Sequence, residues 1–314
     1  MSEAATIRPR IRIATRKSQL ALWQAEHVAG LLRQAHPQLQ VELVPMTTKG
    51  DRIQDRSLAA IGGKGLFIKE LEVALEEGLA DIAVHSMKDV PGDLPQGLTI
   101  ATVLPRADPR DAWVSSRYER IEALPQGARV GTSSLRRQAQ LLAIRSDLVI
   151  QPLRGNVDTR LRRLDEGELD AIVLAVAGLV RLGWESRITA RLAPESFLPA
   201  VGQGVIGIEC RSNDSFTRES LAPLDHPATR IALDAERAFT GYLGGSCQSP
   251  IAAHAQLEGE RLSLEGLVAE PDGSRLLRDR ETGSANDQAT LGIKLAQRVQ
   301  SAGGLELLNR LREK

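Results

Sequence analysis

Two ten-residue segments of this chain resemble each other. Residues 75–84, LEEGLADIAV, match residues 164–173, LDEGELDAIV, 89 positions later. A basic residue and a glycine also precede a helix pattern in each half, at Lys64-Gly65 and at Arg154-Gly155, 90 positions apart. Two similarities at nearly the same spacing predict two related lobes. A cleft between two lobes is a favoured place for a ligand.

Strand and helix patterns alternate within each half. In the first half, strands are predicted at 12–15, 41–46 and 82–84, with helices after Ser18 and over 65–79. The second half repeats the alternation with a strand at 148–153, a helix at 156–165 and a strand at 171–176. Such alternation is typical of a mostly parallel sheet with helices on both faces.

The pattern changes after about Asp225. Further elements are predicted there: a helix through 228–238, strands at 251–257, 261–268 and 275–280, and a helical region after Ala285. We therefore expect a separate, small α+β domain. Its first helix is followed by the segment GGSCQSP at 244–250, whose glycines and proline end the helix and leave a loop that presents Cys247.

Composition limits the functions that are open to the chain. Its 314 residues are 42% hydrophobic and 25% charged, with 40 basic and 40 acidic residues. This balance disfavours general binding to nucleic acid or to a membrane surface, so that a basic site has to be local. There is no bilayer-length apolar run, no disulfide framework and no apolar signal core near the N-terminus. We therefore expect a cytoplasmic protein.

A local basic site is predicted in the segment VGTSSLRRQ at 130–138. The free N–H groups at a helix start attract anions. Arg136 and Arg137 lie in the first predicted turn, where cations oppose the helix dipole, and this indicates a bound carboxylate or phosphate. The alternative is a solvated helix start whose arginines pair with a nearby Asp or Glu. This segment alone supports the two alternatives equally.

Asp89 and Cys247 are the candidate reactive residues. Asp89 follows the strand predicted at 82–84, where α/β proteins gather ligand-binding groups, and Lys88 beside it favours an ionised carboxylate. An ordinary Asp turn with a surface ion pair is the alternative. Cys247, on a Gly/Ser loop, is either open to modification or an unremarkable surface cysteine. Cys210 is predicted to be inert core, and neither cysteine has metal-site spacing.

Several motifs, taken in order along the chain, resemble those of the hydroxymethylbilane synthase family, also called porphobilinogen deaminases. They are IATR at 13–16, GGKGLF at 62–67, HSMKDVP at 85–91, GTSSLRR at 131–137, LRGN at 153–156 and LPAVGQG at 198–204. Each motif alone is moderately specific. All of them in order over essentially the whole chain, with Cys247 in the expected kind of loop, are highly specific.

The resemblance implies two α/β lobes like those of periplasmic binding proteins, a central cleft, and a small C-terminal α+β domain. The implied boundaries are 1–104 with 205–222 for lobe 1, 105–204 for lobe 2 and 223–314 for the C-terminal domain. The implied enzyme is a monomeric transferase of tetrapyrrole biosynthesis. It joins four porphobilinogen molecules head-to-tail into hydroxymethylbilane and releases ammonia. The polymer grows on a dipyrromethane cofactor, one per chain, held as a thioether by Cys247.

The resemblance also implies the site residues, with no metal, nucleic acid or membrane involved. Asp89 is the catalytic residue, which stabilises positive charge on pyrrole nitrogens and shuttles a proton. Every pyrrole brings two carboxylates, whose burial needs guanidinium partners. The cofactor-binding residues are Cys247, Lys88, Ser133, Ser134, Arg136, Arg137 and Arg160. The substrate-binding residues are Arg16, Ser18, Gln24, Lys64, Phe67, Arg154, Arg181 and Gln203.

Two other functions stay open on the residues themselves. One is a two-lobed receptor that closes on an anion without chemistry, against which the loop cysteine and the lack of a signal peptide count. The other is a cysteine-nucleophile enzyme acting on acyl groups. It lacks a convincing histidine partner for Cys247, because His254 lies in a strand pattern.

Overall fold

The structure is a computed structural model that describes residues 9–48, 50, 68–245 and 249–312. The described residues form two five-stranded sheets and one three-stranded sheet, with helices packed against them. This confirms the predicted class of two α/β lobes with a small C-terminal α+β domain. Among the described residues, no helix combines the length and the apolar character needed to cross a membrane.

The elements are numbered in chain order. The strands are β1 (Arg10–Arg16), β2 (Gln40–Met46), β3 (Ile82–Ser86), β4 (Leu98–Val103), β5 (Asp111–Val114), β6 (Arg129–Gly131), β7 (Val149–Gln151), β8 (Ala171–Ala175), β9 (Ala190–Leu192), β10 (Ile206–Arg211), β11 (Ile251–Glu258), β12 (Arg261–Ala269) and β13 (Leu276–Ser284). The α-helices are α1 (Gln19–Ala35), α2 (Lys69–Glu76), α3 (Leu135–Ile144), α4 (Val157–Asp165), α5 (Val176–Arg181), α6 (Ser215–Leu221), α7 (Pro227–Tyr242), α8 (Gln288–Ser301) and α9 (Gly304–Arg312).

The two lobes have the same strand arrangement. Lobe 1 has the order β2-β1-β3-β10-β4 and lobe 2 the order β7-β6-β8-β5-β9. In each lobe the first three strands are parallel, and the fourth runs antiparallel to its neighbours. The repeated segments at 75–84 and 164–173 end in β3 and β8, which occupy equivalent places. This equivalence is the structural basis of the repeat in the sequence.

The chain crosses between the lobes twice. It leaves lobe 1 after β4 and enters lobe 2 at β5, and it returns after β9 to add β10 to the sheet of lobe 1. Residue Ile208 of β10 is fully buried in the core of lobe 1 with Ile11 and Ile82, which belong to β1 and β3. The core of lobe 1 therefore includes a strand that follows the whole of lobe 2.

The C-terminal domain packs α7 and α8 on one antiparallel sheet. β12 pairs with both β11 and β13, so the sheet is a three-stranded meander. Phe239 of α7, Leu264 of β12 and Leu295 of α8 are all fully buried in its core. Burial of these apolar side chains gives the domain a hydrophobic core of its own.

The predicted elements differ from the structure mainly at their ends. Ser18 caps α1 as predicted, since its Oγ accepts a hydrogen bond from the Ala21 N–H at 3.3 Å. The strand predicted at 171–176 ends at Ala175, because Val176 begins a short helix. The last predicted strand continues to Ser284. β4, β5, β9 and the helices at 176–181 and 215–221 were not predicted.

The turn between β12 and β13 packs closely on the end of α3. Gly273 has a φ of +73°, and a Cβ there would lie 2.5 Å from the Ala143 backbone nitrogen. We predict that Gly273→Ala lowers the free energy of unfolding by about 2–3 kcal/mol, because the side chain adds overlap to an unfavourable φ. Chemical denaturation measures this.

Gly259→Ala is the matched control for the Gly273 variant. Gly259 has a φ of +60°, but a Cβ there would meet nothing within 4 Å. We expect a cost of about 1 kcal/mol from the backbone conformation alone. Equal losses in the two variants would contradict the close contact between this turn and α3.

Candidate active site

A cavity of about 520 Å³ lies where the two lobes and the C-terminal domain meet. The turns that follow β1, β3 and β6 line it, together with the helix starts after them. A second cavity of about 70 Å³ shares Lys88, Arg137 and Arg160 with the first. Ligands of open α/β sheets bind at such strand ends, so the two cavities form the candidate site.

Arg136 and Arg137 are buried at this site, with exposed fractions of 4% and 6%. Arg136 Nη1 donates to Asp111 Oδ2 and to the Leu198 carbonyl oxygen, both at 2.7 Å. Arg137 donates from Nε and Nη2 to Asp111 Oδ1, at 3.0 and 2.7 Å, and from Nη1 to the Val173 carbonyl oxygen at 2.8 Å. One buried carboxylate is thus shared by two guanidinium groups.

The shared carboxylate belongs to the first residue of β5. Burial by itself raises the pKa of Asp111, but the charges and hydrogen bonds of Arg136 and Arg137 outweigh it and hold that pKa well below its usual range. The sequence left open whether these arginines bind an anion or pair with a nearby acid at a solvated helix start. The structure shows that they pair with an acid, Asp111, and that this pair is buried rather than solvated. Because two positive charges share one negative charge, the group keeps a net positive charge at the cavity.

Lys88 and Asp89 lie in a 3₁₀ turn that directly follows β3. Burial lowers the pKa of Lys88 to about 8, while the charge of Asp89 acts in the opposite direction. The Asp89 carboxylate also acts on the pKa values of Arg137 and Arg160, which places it among three cations. In the described part of the chain, Asp89 has no ion pair within 4 Å.

Three more arginines add positive charge. Arg160 Nε donates to the Gly155 carbonyl oxygen at 2.9 Å, and burial together with the charge of Arg137 lowers its pKa to about 10. Arg181 Nη2 donates to the Gly204 carbonyl oxygen at 2.7 Å, and burial lowers its pKa to about 10. Its guanidinium also lies 5.9 Å above the Trp23 ring centre. Across the described ranges, neither these two arginines nor Arg154 forms a salt bridge.

Gln203 brings a different kind of polar group to the cavity. It is fully buried, and its Nε2 donates to the Pro109 carbonyl oxygen at 2.7 Å and to Asp111 Oδ1 at 3.1 Å. Its Oε1 is buried and has no hydrogen-bond donor among the residues that the structure describes. A buried acceptor of this kind fits a ligand that carries an N–H group.

Other predicted site residues are placed as follows. Arg16, Ser18, Ser134 and Arg154 line the large cavity. Ser133 lines it too, but its Oγ already donates to the Leu153 carbonyl oxygen and accepts from the Leu153 N–H, both at 3.0 Å.

Gln24 lines neither cavity. It is buried in lobe 1, where its Nε2 donates to Ser86 Oγ at 2.9 Å, and Ser86 in turn lines the smaller cavity. The structure therefore does not place Gln24 in direct reach of a ligand in these cavities.

The predictions for Lys64, Phe67 and Cys247 fall outside the described residues. The flanks of the cysteine loop are described, and Gly245 and Ser249 both line the large cavity. Cys210 is a free, fully buried cysteine in β10, and burial raises its pKa to about 11. Its place in the core was predicted correctly from the strand-like sequence around it.

Sequence reasoning missed two residues of the site, Asp111 and Arg237. Asp111 is 25 positions from Arg136, and no motif connects them. The signal that points to Asp111 is physical, because two buried guanidinium groups require a carboxylate. Arg237 lies on α7 and lines the large cavity from the side of the C-terminal domain.

The cavity as a whole is suited to a compound with several carboxylates and N–H groups. Cations without a carboxylate partner are the strong counterparts of ligand carboxylates, particularly as forked guanidinium donors. The orphaned oxygen of Gln203 matches an N–H donor. A dipyrromethane has this combination of groups, so the residues present fit the cofactor that the sequence motifs imply.

Comparison with known proteins gives two family matches. A model described as "Porphobilinogen deaminase, dipyromethane cofactor binding domain" matches residues 11–219. A second, described as "Porphobilinogen deaminase, C-terminal domain", matches residues 231–301.

Among solved structures, the comparison finds periplasmic proteins of low sequence identity. The aliphatic sulphonate binding protein SsuA of Escherichia coli is 14% identical, with a TM-score of 0.40 over 74% of this chain and 70% of that one. An ABC transporter substrate-binding protein of Coxiella burnetii is 15% identical, with a TM-score of 0.42 over 70% and 94%. The BvgS periplasmic VFT2 domain of Bordetella pertussis is 16% identical, with a TM-score of 0.41 over 68% and 86%.

The buried acid of the site leads to a test by stability. We predict that Asp111→Asn lowers the free energy of unfolding at neutral pH by about 3–5 kcal/mol, because two buried guanidinium groups lose their counter-charge. The folded pKa of Asp111 lies below its unfolded value. Its contribution is therefore complete above about pH 4 and is lost as the pH falls further, and the variant lacks this part of the pH dependence.

The control for this test is Asp147→Asn. Asp147 pairs with Arg145 in the same lobe, at 2.7 Å, but at the surface. We expect little change in stability, since exposed ion pairs contribute little. Denaturation curves between pH 3 and pH 7 compare the two variants, and similar losses in both would contradict a special role of the buried carboxylate.

Proposed function

The chain belongs to the porphobilinogen deaminase family, whose two domain models span most of its length, and from this premise we propose which residues carry the reaction. The enzyme is a hydroxymethylbilane synthase, a transferase of porphyrin biosynthesis that polymerises porphobilinogen with a dipyrromethane cofactor. This identity decides against a receptor without chemistry and against an acyl-transferring cysteine enzyme.

We propose that the cavity cations hold the carboxylates of the cofactor and of the growing chain. The observation that carries this proposal is the set of cations lining the two cavities that have no carboxylate partner among the described residues: Lys88, Arg154, Arg160 and Arg181. Carboxylates in a cavity are costly unless they meet such partners. Arg136 and Arg137 add the net charge that Asp111 leaves.

The proposed binding roles divide by position. Cys247 attaches the cofactor, and its carboxylates are met by Lys88, Ser133, Ser134, Arg136, Arg137 and Arg160. Incoming substrate is met by Arg16, Ser18, Lys64, Phe67, Arg154, Arg181 and Gln203. Gln24 acts behind this set, through its hydrogen bond to Ser86.

Asp89 is the proposed catalytic residue. When bound, the cofactor would supply the pyrrole carbon to which the first substrate unit is joined, and the carbon–nitrogen bond of that unit breaks to release its nitrogen as ammonia. The Asp89 carboxylate, at the end of β3, pairs with the positive charge that develops on a pyrrole nitrogen. It then accepts the proton that leaves the ring carbon once the new carbon–carbon bond has formed. Lys88, Arg137 and Arg160 hold the surrounding carboxylates, which keeps the reacting rings beside Asp89.

We also propose the assembly and the domain limits that the resemblance implies, namely a cytoplasmic monomer with lobe 1 at 1–104 and 205–222, lobe 2 at 105–204 and a C-terminal domain at 223–314. The course of the sheets supports these limits, because β10 completes the sheet of lobe 1 after the chain returns from lobe 2. Sedimentation of the purified enzyme tests the monomer.

Intact mass tests the cofactor attachment. We predict that the purified protein is heavier than its 34.0 kDa chain by one dipyrromethane. Cys247→Ser has the mass of the bare chain, because the thioether sulfur is absent. Cys210→Ser is the control and keeps the added mass, since Cys210 is buried in β10. An added mass that persists in Cys247→Ser would overturn the proposed attachment.

Substitution of the carboxylate tests the catalytic role. We predict that Asp89→Asn keeps the cofactor mass but loses about 100-fold or more in kcat, as expected when an acid–base group is removed. Asp93→Asn, an exposed acid shortly after the same turn, is the control and should keep kcat within about twofold, since it lies outside the cavity lining. An Asp89→Asn variant with near-normal turnover would reject the assignment.

A further inference from the structure

The turn that carries Lys88 and Asp89 is anchored on one side by Met87. Met87 is 2% exposed and packs against β10 and the crossing that leads to it. A Cβ on Gly207 would lie 2.1 Å from Met87 Sδ, so the absence of a side chain at that position makes room for the methionine. The Val90 N–H donates to the Met87 carbonyl oxygen at 3.2 Å, which closes the turn. This anchor holds the start of the turn only.

The other side of the turn is held by Arg237. Its Nη1 donates to the Val90 carbonyl oxygen at 3.3 Å, and its Nη2 donates to the carbonyl oxygens of Pro91 and Gly92 at 2.7 and 2.9 Å. These three consecutive carbonyls follow Asp89 directly. One guanidinium group is therefore hydrogen-bonded to the three backbone carbonyls that directly follow the proposed catalytic residue.

Arg237 is committed to these carbonyls. Burial lowers the pKa of Arg237, while the charges of Asp234 and Asp93 act in the opposite direction. Within the described ranges it forms no salt bridge. A largely buried guanidinium needs its hydrogen bonds satisfied, and here the backbone of the turn provides the acceptors.

The same helix also leads to the cofactor cysteine. Arg237 lies on α7, whose Ala235 and Phe239 are fully buried in the core of the C-terminal domain. The helix ends at Tyr242, and Cys247 follows five positions later. A rigid helix thus joins the segment that bears the cofactor to the turn that bears the catalytic carboxylate.

We infer that Arg237 is a positioning residue, which holds the Lys88–Asp89 turn at a fixed place relative to the helix that precedes Cys247. It acts through the backbone of residues 90–92. The inference rests on the catalytic role proposed for Asp89 and on the attachment proposed for Cys247. It gives the C-terminal domain a second part in the catalytic site besides Cys247, because the acid of lobe 1 is oriented by a side chain of that domain.

The test uses the cofactor-loaded enzyme with Arg237→Met. We expect kcat to fall by about 10- to 100-fold while KM stays within about threefold, since a displacement of the acid by about 1 Å is enough for such a loss. The cofactor mass is retained. Hydrogen exchange of peptides that cover residues 86–92 becomes faster, because their turn has lost its clamp.

Arg230→Met is the matched control. Arg230 lies on the same helix and also donates to backbone carbonyls, those of Ile100 and Ala101, besides pairing with Asp225. This variant should lose stability but keep kcat within about twofold, with faster exchange around β4 rather than in the turn. A loss of kcat that is equal in both variants would overturn the inference, since it would reflect a general weakening of the helix contacts.

Arg237→Lys decides the matter if Arg237→Met does not fold. A lysine keeps the positive charge and some hydrogen-bond donors but lacks the planar, forked guanidinium group, so we expect its kcat to lie between those of the wild type and Arg237→Met. If Arg237→Met cannot be measured, we expect the kcat of Arg237→Lys to lie at least threefold below that of the wild type. Unchanged kcat and unchanged exchange of residues 86–92 would overturn the inference. An active Asp89→Asn variant would instead refute the proposed function, which keeps the two failures distinct.

Discussion

The carboxylate of Asp111, shared by Arg136 and Arg137, is the interaction on which the site depends. Two buried guanidinium groups without any acid would make the start of α3 very costly. Two acids would neutralise both guanidinium groups and leave no net positive charge to attract an anion. One carboxylate for two guanidinium groups stabilises the fold and leaves a positive charge at the cavity. Asp111 begins β5, which directly follows the first crossing between the lobes. It also accepts a hydrogen bond from Gln203, which lies on the second crossing.

A second buried carboxylate joins the two crossings between the lobes to the C-terminal domain. Glu236 of α7 accepts from Arg106 on the first crossing, from the Gly202 N–H on the second at 2.8 Å, and from the Ala255 N–H of β11 at 2.8 Å. Burial opposes ionisation, but Arg106 and His254 lower the pKa of Glu236 to about 2. The crossings that connect the lobes thus meet the C-terminal domain at one charged group. Arg237, the next residue, extends this junction to the catalytic turn.

Sequence alone predicted what depends on local periodicity and on short motifs. The repeated segment indicated two related lobes because β3 and β8 have the same buried pattern and the same place in their sheets. Arg136 and Arg137 were singled out by the helix start on which they lie, and Lys88 by the strand end before Asp89, and the structure places all three at the large cavity. Asp111, Glu236 and Arg237 were not found, because their partners are 18 to 147 positions away and a pairing between distant residues leaves no periodic signal. The internal hydrogen bonds of Gln24 and Ser133 were hidden for the same reason.

The balanced charge of the whole chain conceals a strong local imbalance. Lys88, Arg160 and Arg181 all have pKa values lowered by burial, which means that their charged forms are destabilised by the cavity when no anion is near. A carboxylate bound beside them supplies the missing counter-charge and stabilises those same charged forms. The same buried charges that lower the stability of the protein without a ligand therefore increase its affinity for a multiply charged ligand. By linkage, a ligand that binds only the folded state also stabilises the fold, so cofactor attachment and the stability of the lobes are coupled.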